Sequence, residues 1–178
     1  MNEIKTYLLN LQNQLCTGLE QFEPTQRFAS DQWQKPPHTQ GLRGQGDTRI
    51  LEGGEVFERA GVGLSFVEGD ALPPSATHGR TELAGAPFTA MGVSLVAHPR
   101  NPYAPTSHMN VRCLSVQTPT GNVSWFGGGF DLTPYYGFTE DAIHWHTQAK
   151  QATGAYYSKL KKWCDDYFYI KHRQEPRG

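Results

Sequence analysis

Four side chains that could do chemistry lie within residues 91–135 of this chain. His98 closes one apolar run, and His108 follows a loop that contains three prolines. Arg112 opens a second apolar run, and Asp131 follows three glycines. Imidazole transfers protons near neutral pH, guanidinium pairs with carboxylates, and a carboxylate accepts N–H donors. The spacing predicts a polar site at strand ends, where a rigid sheet presents its side chains.

Arg112 needs an acidic partner if it points inward from a strand. Asn110 and Arg112 alternate along the chain and therefore face one side. A carboxylate ligand matches the guanidinium fork, whereas an internal ion pair with Asp or Glu would satisfy the same charge. The residues alone leave both alternatives open. Arg49, Arg80 and Arg100 could add positive charge to the same cleft.

The glycines of the chain indicate places where side chains are removed. Gly127–Gly129 precede Asp131 and match no phosphate-binding pattern. They predict either a surface that a flat ligand or another backbone can approach, or a bulge or turn. For Asp131 the alternative is a capping role in the following turn. Gly61 and Gly63 are interpreted as bulges or tight crossings in a strand.

Several histidines from separate elements could bind a divalent metal through imidazole. The candidates are His98, His108, His172 and one of the pair His144 and His146, whose members point in opposite directions on a helix. Their spacing is neither a zinc-finger pattern nor HExxH. The alternative is that they are ordinary surface or core residues.

Composition limits the classes of protein. A chain of 178 residues with a net charge of -1 predicts one domain with no general attraction to nucleic acid or anionic membranes. No apolar run approaches the ~20 residues that span a bilayer, so no stable membrane insertion is expected. The three cysteines predict no disulfide framework, and all are interpreted as small buried hydrophobes. Without a signal-peptide pattern, the expected location is cytoplasmic.

The periodicity of apolar residues predicts an α+β fold. Ile4 to Leu19 carries one apolar stripe and predicts a helix, and residues 19–46 are interpreted mostly as loop. Strands are predicted over 48–50, 56–67 and 88–97, with the last in a central position. Residues 111–117 and 123–126 predict a hairpin, and 72–87 an excursion. Helices are predicted from Thr139 to about Thr153 and over 156–171.

Five long segments resemble the oxygen-dependent coproporphyrinogen III oxidase family. They are RILEGGEVFERAGV (49–62), LPPSAT (72–77), ELAGAPFTAMGVSLVAHPRNPYAPTSHMNVR (82–112), WFGGGFDLTPYYGFTEDAIHWH (125–146) and KKWCDDYFYIKHRQEPRG (161–178). Family members are considerably longer. The resemblance therefore implies that residues 1–178 form a single, C-terminally truncated domain from the N-terminal part of the family.

The resemblance implies a fold and a reaction. The fold is a large, flat antiparallel sheet with helices on both faces. The reaction converts two propionates of coproporphyrinogen III to vinyl groups with O2 and gives protoporphyrinogen IX for haem biosynthesis. Neither flavin nor haem is used, and the full-length family forms homodimers.

Residue roles follow from the matching motifs. The resemblance implies that His108 donates protons and that Asp131 binds pyrrole N–H groups. The implied substrate-binding residues are Ser94, Asn110, Val111 and Arg112. A divalent cation, with Mn2+ as the candidate, is implied at His98, His108, His146 and His172. The chain is a few residues shorter than the family pattern between His146 and Lys161, which could shift His172.

Other functions remain alternatives to the oxidase. One is a different oxygen-using enzyme with a metal held by His98, His108 and Asp131. Another is a non-catalytic module that binds porphyrin. A third is an inactive fragment whose exposed sheet edge aggregates.

Overall fold

A six-stranded antiparallel sheet forms the body of the molecule. The computed structural model describes residues 2–39, 41–77 and 79–176. The strands follow one another in chain order: β1 Ala29–Thr39, β2 Leu42–Glu52, β3 Phe57–Gly69, β4 Phe88–Pro99, β5 Thr106–Thr118 and β6 Gly121–Thr133. One helix, α1 Asn2–Glu20, precedes the strands, and two helices, α2 Thr139–Thr153 and α3 Tyr157–Tyr167, follow them. A small hairpin of β7 Tyr169–Ile170 and β8 Glu175–Pro176 comes last.

One face of the sheet, the covered face, is apolar and lies under α1. Its central residues are buried and belong to one core cluster with Leu8 and Cys16 of α1: Ala60, Val62, Leu64, Met91, Val93, Leu95, Ala97 and Cys113. The helix predicted from the apolar stripe is confirmed, because Ile4, Leu11, Leu15 and Leu19 pack against this cluster. The buried Gln12 amide donates to the carbonyls of Asp47 at 2.8 Å and Val62 at 3.0 Å. This contact docks α1 across β2 and β3.

The opposite face, the open face, carries the alternate residues of the same strands. The connection between β3 and β4 covers one end of it through Leu72 and Leu83, which pack with Phe88 and Val116. This connection contains two short 3-10 turns, Pro74–Ala76 and Thr81–Leu83, and agrees with the predicted excursion. With helical segments against both faces, the α+β prediction is confirmed.

The loop predicted over residues 19–46 is wrong, because β1 and the first part of β2 occupy much of it. The two strands pair from Ala29 with Ile50 to Lys35 with Gly44. β1 is an edge strand, where prolines are tolerated, and the β1–β2 register shifts between Lys35 and Thr39, beside Pro36. These strands bury few apolar side chains, so their sequence lacks the alternation that reveals a strand.

β5 and β6 form the predicted hairpin, but both strands extend further than predicted. His108 and Asp131 consequently lie inside strands rather than at their ends. The glycine run belongs to β6 and pairs in continuous register, so the bulge or turn alternative is wrong. Gly61 and Gly63 also lie in unbroken pairing of β3 with β4, and their interpretation as bulges is wrong.

The C-terminal elements agree only in part with the prediction. α2 spans the predicted residues, with Phe138 rather than Thr139 at its N-cap. The predicted helix over 156–171 is wrong beyond Tyr167, because the chain turns into β7. Cys164 is exposed, so its prediction as a buried residue is wrong, whereas Cys16 and Cys113 are buried as predicted. Within the described residues, no helix is long and apolar enough to cross a membrane.

Candidate functional site

His108 and Asp131 form a polar pair on the open face. They are direct cross-strand partners on β5 and β6, and 3.0 Å separates His108 Nδ1 from Asp131 Oδ2. The side chains are 38% and 33% exposed, so both can reach a bound molecule. With an ionised Asp131, the Nδ1–H of His108 donates to the carboxylate. The contact then directs Nε2 away from Asp131 and fixes the orientation of the ring.

Arg112 lies further along the same face. Alternation from His108 places Asn110 and Arg112 on its side of β5, and Arg112 Nη2 donates to Asn110 Oδ1 at 3.1 Å. Arg112 is exposed, and none of the ion pairs in the described part of the chain involves it. The internal ion pair considered for Arg112 is therefore not found there. Its guanidinium remains accessible to a carboxylate from outside.

Glycines form an open floor around these side chains. Asn110 pairs with Ser94 on one side and Gly129 on the other, and Ser94 pairs with Gly63. An added Cβ would meet nothing within 4 Å at Gly63 or Gly129. Along the strands, from His108 to Arg112, the floor is about 13 Å long, and across the strands, from β3 to β6, it is about 14 Å wide at ordinary strand spacing. A flat molecule could lie directly on the backbone.

Aromatic side chains border the floor. The Trp33 indole lies across Gly46 on β2, where an added Cβ would collide with the ring. At the covered end, the guanidinium of Arg80 lies 4.8 Å from the centroid of the Trp125 ring. Neither tryptophan was singled out from the sequence. The pairing of Trp33 with a glycine in β2 is a signal that emerges only once β1 is recognised as a strand.

A pocket of about 890 Å³ continues the open face beyond His108. The ends of β2 and β4, the starts of β3 and β5, and Tyr135 line it. Its polar side chains are Glu52, Glu58, Arg59, His98, Arg100 and Thr106. His98 Nδ1 lies 3.4 Å from Thr106 Oγ1. The pocket thus extends the polar surface past the His108–Asp131 pair.

The four histidines of the expected metal centre belong to four different elements of the fold. His98 and His108 occupy neighbouring strands, His146 Nδ1 lies 3.1 Å from Tyr157 Oη, and His172 is exposed between β7 and β8. Among residues 2–39, 41–77 and 79–176, no three His, Cys, Asp or Glu side chains come together as a metal site. In this arrangement the four histidines therefore do not form an assembled centre.

Of the expected substrate-binding residues, Val111 differs from the others. Ser94, Asn110 and Arg112 lie on the open face, whereas the Val111 side chain packs against the core cluster of the covered face. Only the main chain of Val111 could belong to the site. The alternation of a strand requires this, since neighbours of Val111 on either side point to the open face.

Glu23 is a supporting residue that the sequence reasoning missed. Its buried carboxylate accepts backbone N–H bonds from Thr25, Glu55, Val56 and Phe57 at 2.9–3.2 Å. Burial alone would raise its pKa, but these N–H donors outweigh burial and lower the pKa to about 2. A Cβ on Gly54 would collide with this carboxylate. The adjacent glycines 53 and 54 were the available signal, and Glu23 fixes the turn between β2 and β3 beside the pocket.

Comparison with known proteins identifies the family. A family model described as Coproporphyrinogen III oxidase matches residues 3–178. The chain is 54% identical to the oxygen-dependent coproporphyrinogen-III oxidases of Francisella tularensis subsp. tularensis (strain SCHU S4 / Schu 4) and Francisella tularensis subsp. holarctica (strain LVS). Both alignments cover 100% of this chain and 60% of the relative, so the chain spans less than two thirds of the relatives' length. A match over nearly every residue places the chain in the coproporphyrinogen III oxidase family.

Proposed function

We propose that this chain binds coproporphyrinogen III and converts two of its propionates to vinyl groups with O2 in haem biosynthesis. The observation that carries the proposal is the placement of the His108–Asp131 pair and Arg112 on one glycine floor. This surface offers a flat bed, a carboxylate anchor and a proton-transfer group together. The reaction is the one named for relatives in the same family. The chain spans only 60% of the length of such a relative.

Each decarboxylation is a two-electron oxidation. The carbon next to the pyrrole loses hydrogen, the bond to the carboxylate breaks, and its electron pair forms the vinyl double bond as CO2 leaves. O2 accepts the two electrons and two protons, one from that carbon and one from solution, and becomes H2O2. A pyrrole anion that reacts directly with O2, giving a peroxide that removes the hydrogen, accounts for a reaction without flavin or haem.

The polar side chains have distinct roles in this proposal. Asp131 keeps lone pairs free beside its contact with His108, and these accept pyrrole N–H groups and favour negative charge on the ring. His108 transfers protons, since imidazole changes charge near neutral pH. Arg112 binds a propionate and thereby selects the ring presented to His108, with Ser94 and Asn110 beside it.

The decisive experiment is turnover of the purified chain. Coproporphyrinogen III is prepared without oxygen, mixed with the chain in air, and the oxidised porphyrins are separated by chromatography. Appearance of the tricarboxylic intermediate and then protoporphyrin supports the proposal. Tight binding without product would instead favour a non-catalytic porphyrin-binding module, and absence of binding would contradict the proposal.

Variants assign the roles. His108→Gln should reduce turnover by about 10²-fold or more, the range for loss of a general acid or base. Arg112→Gln should mainly raise KM, because it removes a binding contact present before the reaction. His144→Gln is the matched control, since His144 is exposed on α2 and has no role in the proposed site. An unchanged KM for Arg112→Gln would remove Arg112 from the substrate site.

A divalent cation is a separate proposal that rests on the resemblance alone, with Mn2+ as the first candidate and His98, His108, His146 and His172 as ligands. No step above uses it. Metal analysis of the purified chain tests it, together with His98→Ala and His146→Ala. Stoichiometric metal that both substitutions remove supports the centre, and equal metal content in all three proteins contradicts it.

Assembly and location are likewise proposed. We expect a homodimer, as the resemblance implies, and sedimentation equilibrium gives the mass that decides between one and two copies. We expect a reducing, cytoplasmic compartment, because all three cysteines are free thiols. Localisation of a tagged protein tests the second expectation.

A further inference from the structure

Arg100 lies in the pocket at the end of the open face and is held in place by backbone contacts. Its N–H donates to Val56 O at 2.9 Å, which continues the strand pairing one residue beyond β4. Its Nε donates to Gly54 O at 2.5 Å. Both acceptors belong to the turn between β2 and β3. The backbone and Nε are therefore anchored, and both Nη groups remain for another partner.

The turn that holds Arg100 is itself held in place by the buried carboxylate of Glu23. The Glu23 carboxylate accepts the N–H groups of Glu55 and Val56 at 2.9 Å, and along the chain these lie between the Gly54 and Val56 carbonyls that Arg100 binds. A guanidinium held this way loses little freedom when it binds an anion, and such preorganisation strengthens binding.

Arg100 also lacks an acidic partner. In the described ranges, it takes part in no ion pair and in no side-chain hydrogen bond besides that to Gly54. Its neighbour Arg59 contrasts with it, because Arg59 pairs with Glu52 at 2.5 Å. The other glutamate of the pocket, Glu58, is exposed and pairs with neither arginine. The pocket has balanced formal charge, so local geometry rather than overall potential distinguishes Arg100.

The position of Arg100 relative to Arg112 suits a molecule with acid groups on opposite sides. Arg112 pairs with Gly92, and Arg100 follows Gly92 by eight residues along β4 and just past its end. This separates the two backbone positions by about 26 Å at ordinary strand rise. The Arg112 side chain points along β5 toward Asn110 and shortens the gap, and the glycine floor and the His108–Asp131 pair lie between the two arginines.

We propose that Arg100 binds a second carboxylate of the substrate, at the opposite end of the open face from Arg112. The inference rests on the proposed function, because it assumes a tetrapyrrole with propionates around its edge. Two anchors at opposite ends fix the rotation of the ring over His108. Arg100 is thereby a specificity-determining residue that favours tetracarboxylates over porphyrins with acid groups on one edge only.

Equilibrium binding of two porphyrins tests this inference. Coproporphyrin III carries four propionates, and mesoporphyrin IX carries two on one edge. Fluorescence titrations compare the unchanged chain with Arg100→Gln, Arg100→Lys, Arg112→Gln and Arg43→Gln. Arg43 is the charge-matched control, because it pairs with Glu68 and Asp70 and contacts neither anchor. Circular dichroism verifies that each variant is folded.

The expected result is selective. Arg100→Gln should weaken the affinity for coproporphyrin III by about 10-fold or more, because a charge-assisted hydrogen bond is lost. The affinity for mesoporphyrin IX should fall by less than about 3-fold. Arg100→Lys should recover part of the affinity, since it keeps the charge and loses the fork. Arg43→Gln should change neither affinity.

Other results would overturn the inference. Equal affinities for Arg100→Gln and the unchanged chain, or equal losses for both porphyrins, would remove Arg100 as a second anchor. If Arg100→Gln is unfolded, Arg100→Lys decides by the same selectivity. Failure of the unchanged chain to bind coproporphyrin III would contradict the proposed function and the inference together. Weakening by Arg112→Gln alone would contradict only the inference.

Discussion

The two faces of one sheet use the same strands for opposite purposes. On β4, Met91, Val93 and Leu95 point to the covered face and are buried, while Gly92 and Ser94 between them point to the open face. On β5, Cys113 is buried on one face and Arg112 is exposed on the other. The covered face is filled by side chains, and the open face is kept clear by glycines.

This difference separates stability from binding. Burial of apolar area stabilises the fold mainly from the covered face and α1. The open face can therefore hold polar and charged residues, provided that they stay accessible to water or to a ligand. Substitutions on the covered face should change stability, and those on the open face should change binding.

The largest stability effect is expected at the centre of the covered face. Leu64 is 2% exposed and lies in the core cluster. Leu64→Ala should reduce the free energy of unfolding by about 2–5 kcal/mol, because it leaves a cavity under α1. Urea denaturation measures the loss. A change below about 1 kcal/mol would mean that α1 does not pack on this face as described.

A side chain added to the open floor should weaken binding and leave stability almost unchanged. Gly129→Val should weaken coproporphyrin binding by about 10-fold or more, since the new side chain occupies space above the floor, while stability changes by about 0.5 kcal/mol or less. Gly128→Val is the matched control on the neighbouring residue. A Cβ there would collide with Asn110 O, so this variant should lose stability. Unchanged binding by Gly129→Val would contradict a ligand on the floor.

Two carboxylates, Asp131 and Glu23, differ in the same way, because one is accessible and the other is buried. Asp131 is partly exposed on the open face, whereas Glu23 is buried among backbone N–H groups that hold its pKa at about 2. The folded-state pKa lies below the ordinary value of 4.5. Glu23 therefore stabilises the fold fully above about pH 4.5, and this contribution is lost as the pH falls toward 2.

Urea midpoints measured from pH 6 down to pH 2 test this contribution. The unchanged chain should lose stability over the window below pH 4.5, and Glu23→Gln should be less stable at pH 6 with a flatter profile. Glu55→Gln is the control, because the Glu55 side chain is exposed on the same turn. Parallel profiles for Glu23→Gln and the unchanged chain would contradict the depressed pKa.

The smallest expected effect is a difference in reactivity among the three cysteine thiols. Burial raises the pKa of Cys16 and of Cys113, at the interface of α1 with the covered face, while Cys164 is exposed on α3. Ellman's reagent should modify one thiol per native chain rapidly and all three only in denaturant. Rapid reaction of a second thiol in the native chain would show that the covered face opens readily.

Elements with strong periodicity were predictable from the sequence, and weakly buried ones were not. The apolar stripe of α1 and the apolar runs of β3 and β4 were recognised because these elements bury a full face. β1 was missed because it is a polar edge strand whose stability comes from pairing with β2. The end of α3 was missed because a hairpin contact, rather than a helix-breaking residue, stops it at Tyr167.

The sequence by itself determined the family, the α+β class and the types of side chain that could do chemistry, because long motifs and residue types are local properties of the chain. Only the tertiary structure decided which of them meet. Strand register joins His108 to Asp131 and turns Val111 toward the core. Register also places the glycines in one open floor and Arg100 in the pocket beyond it, since it depends on pairing between segments distant in sequence.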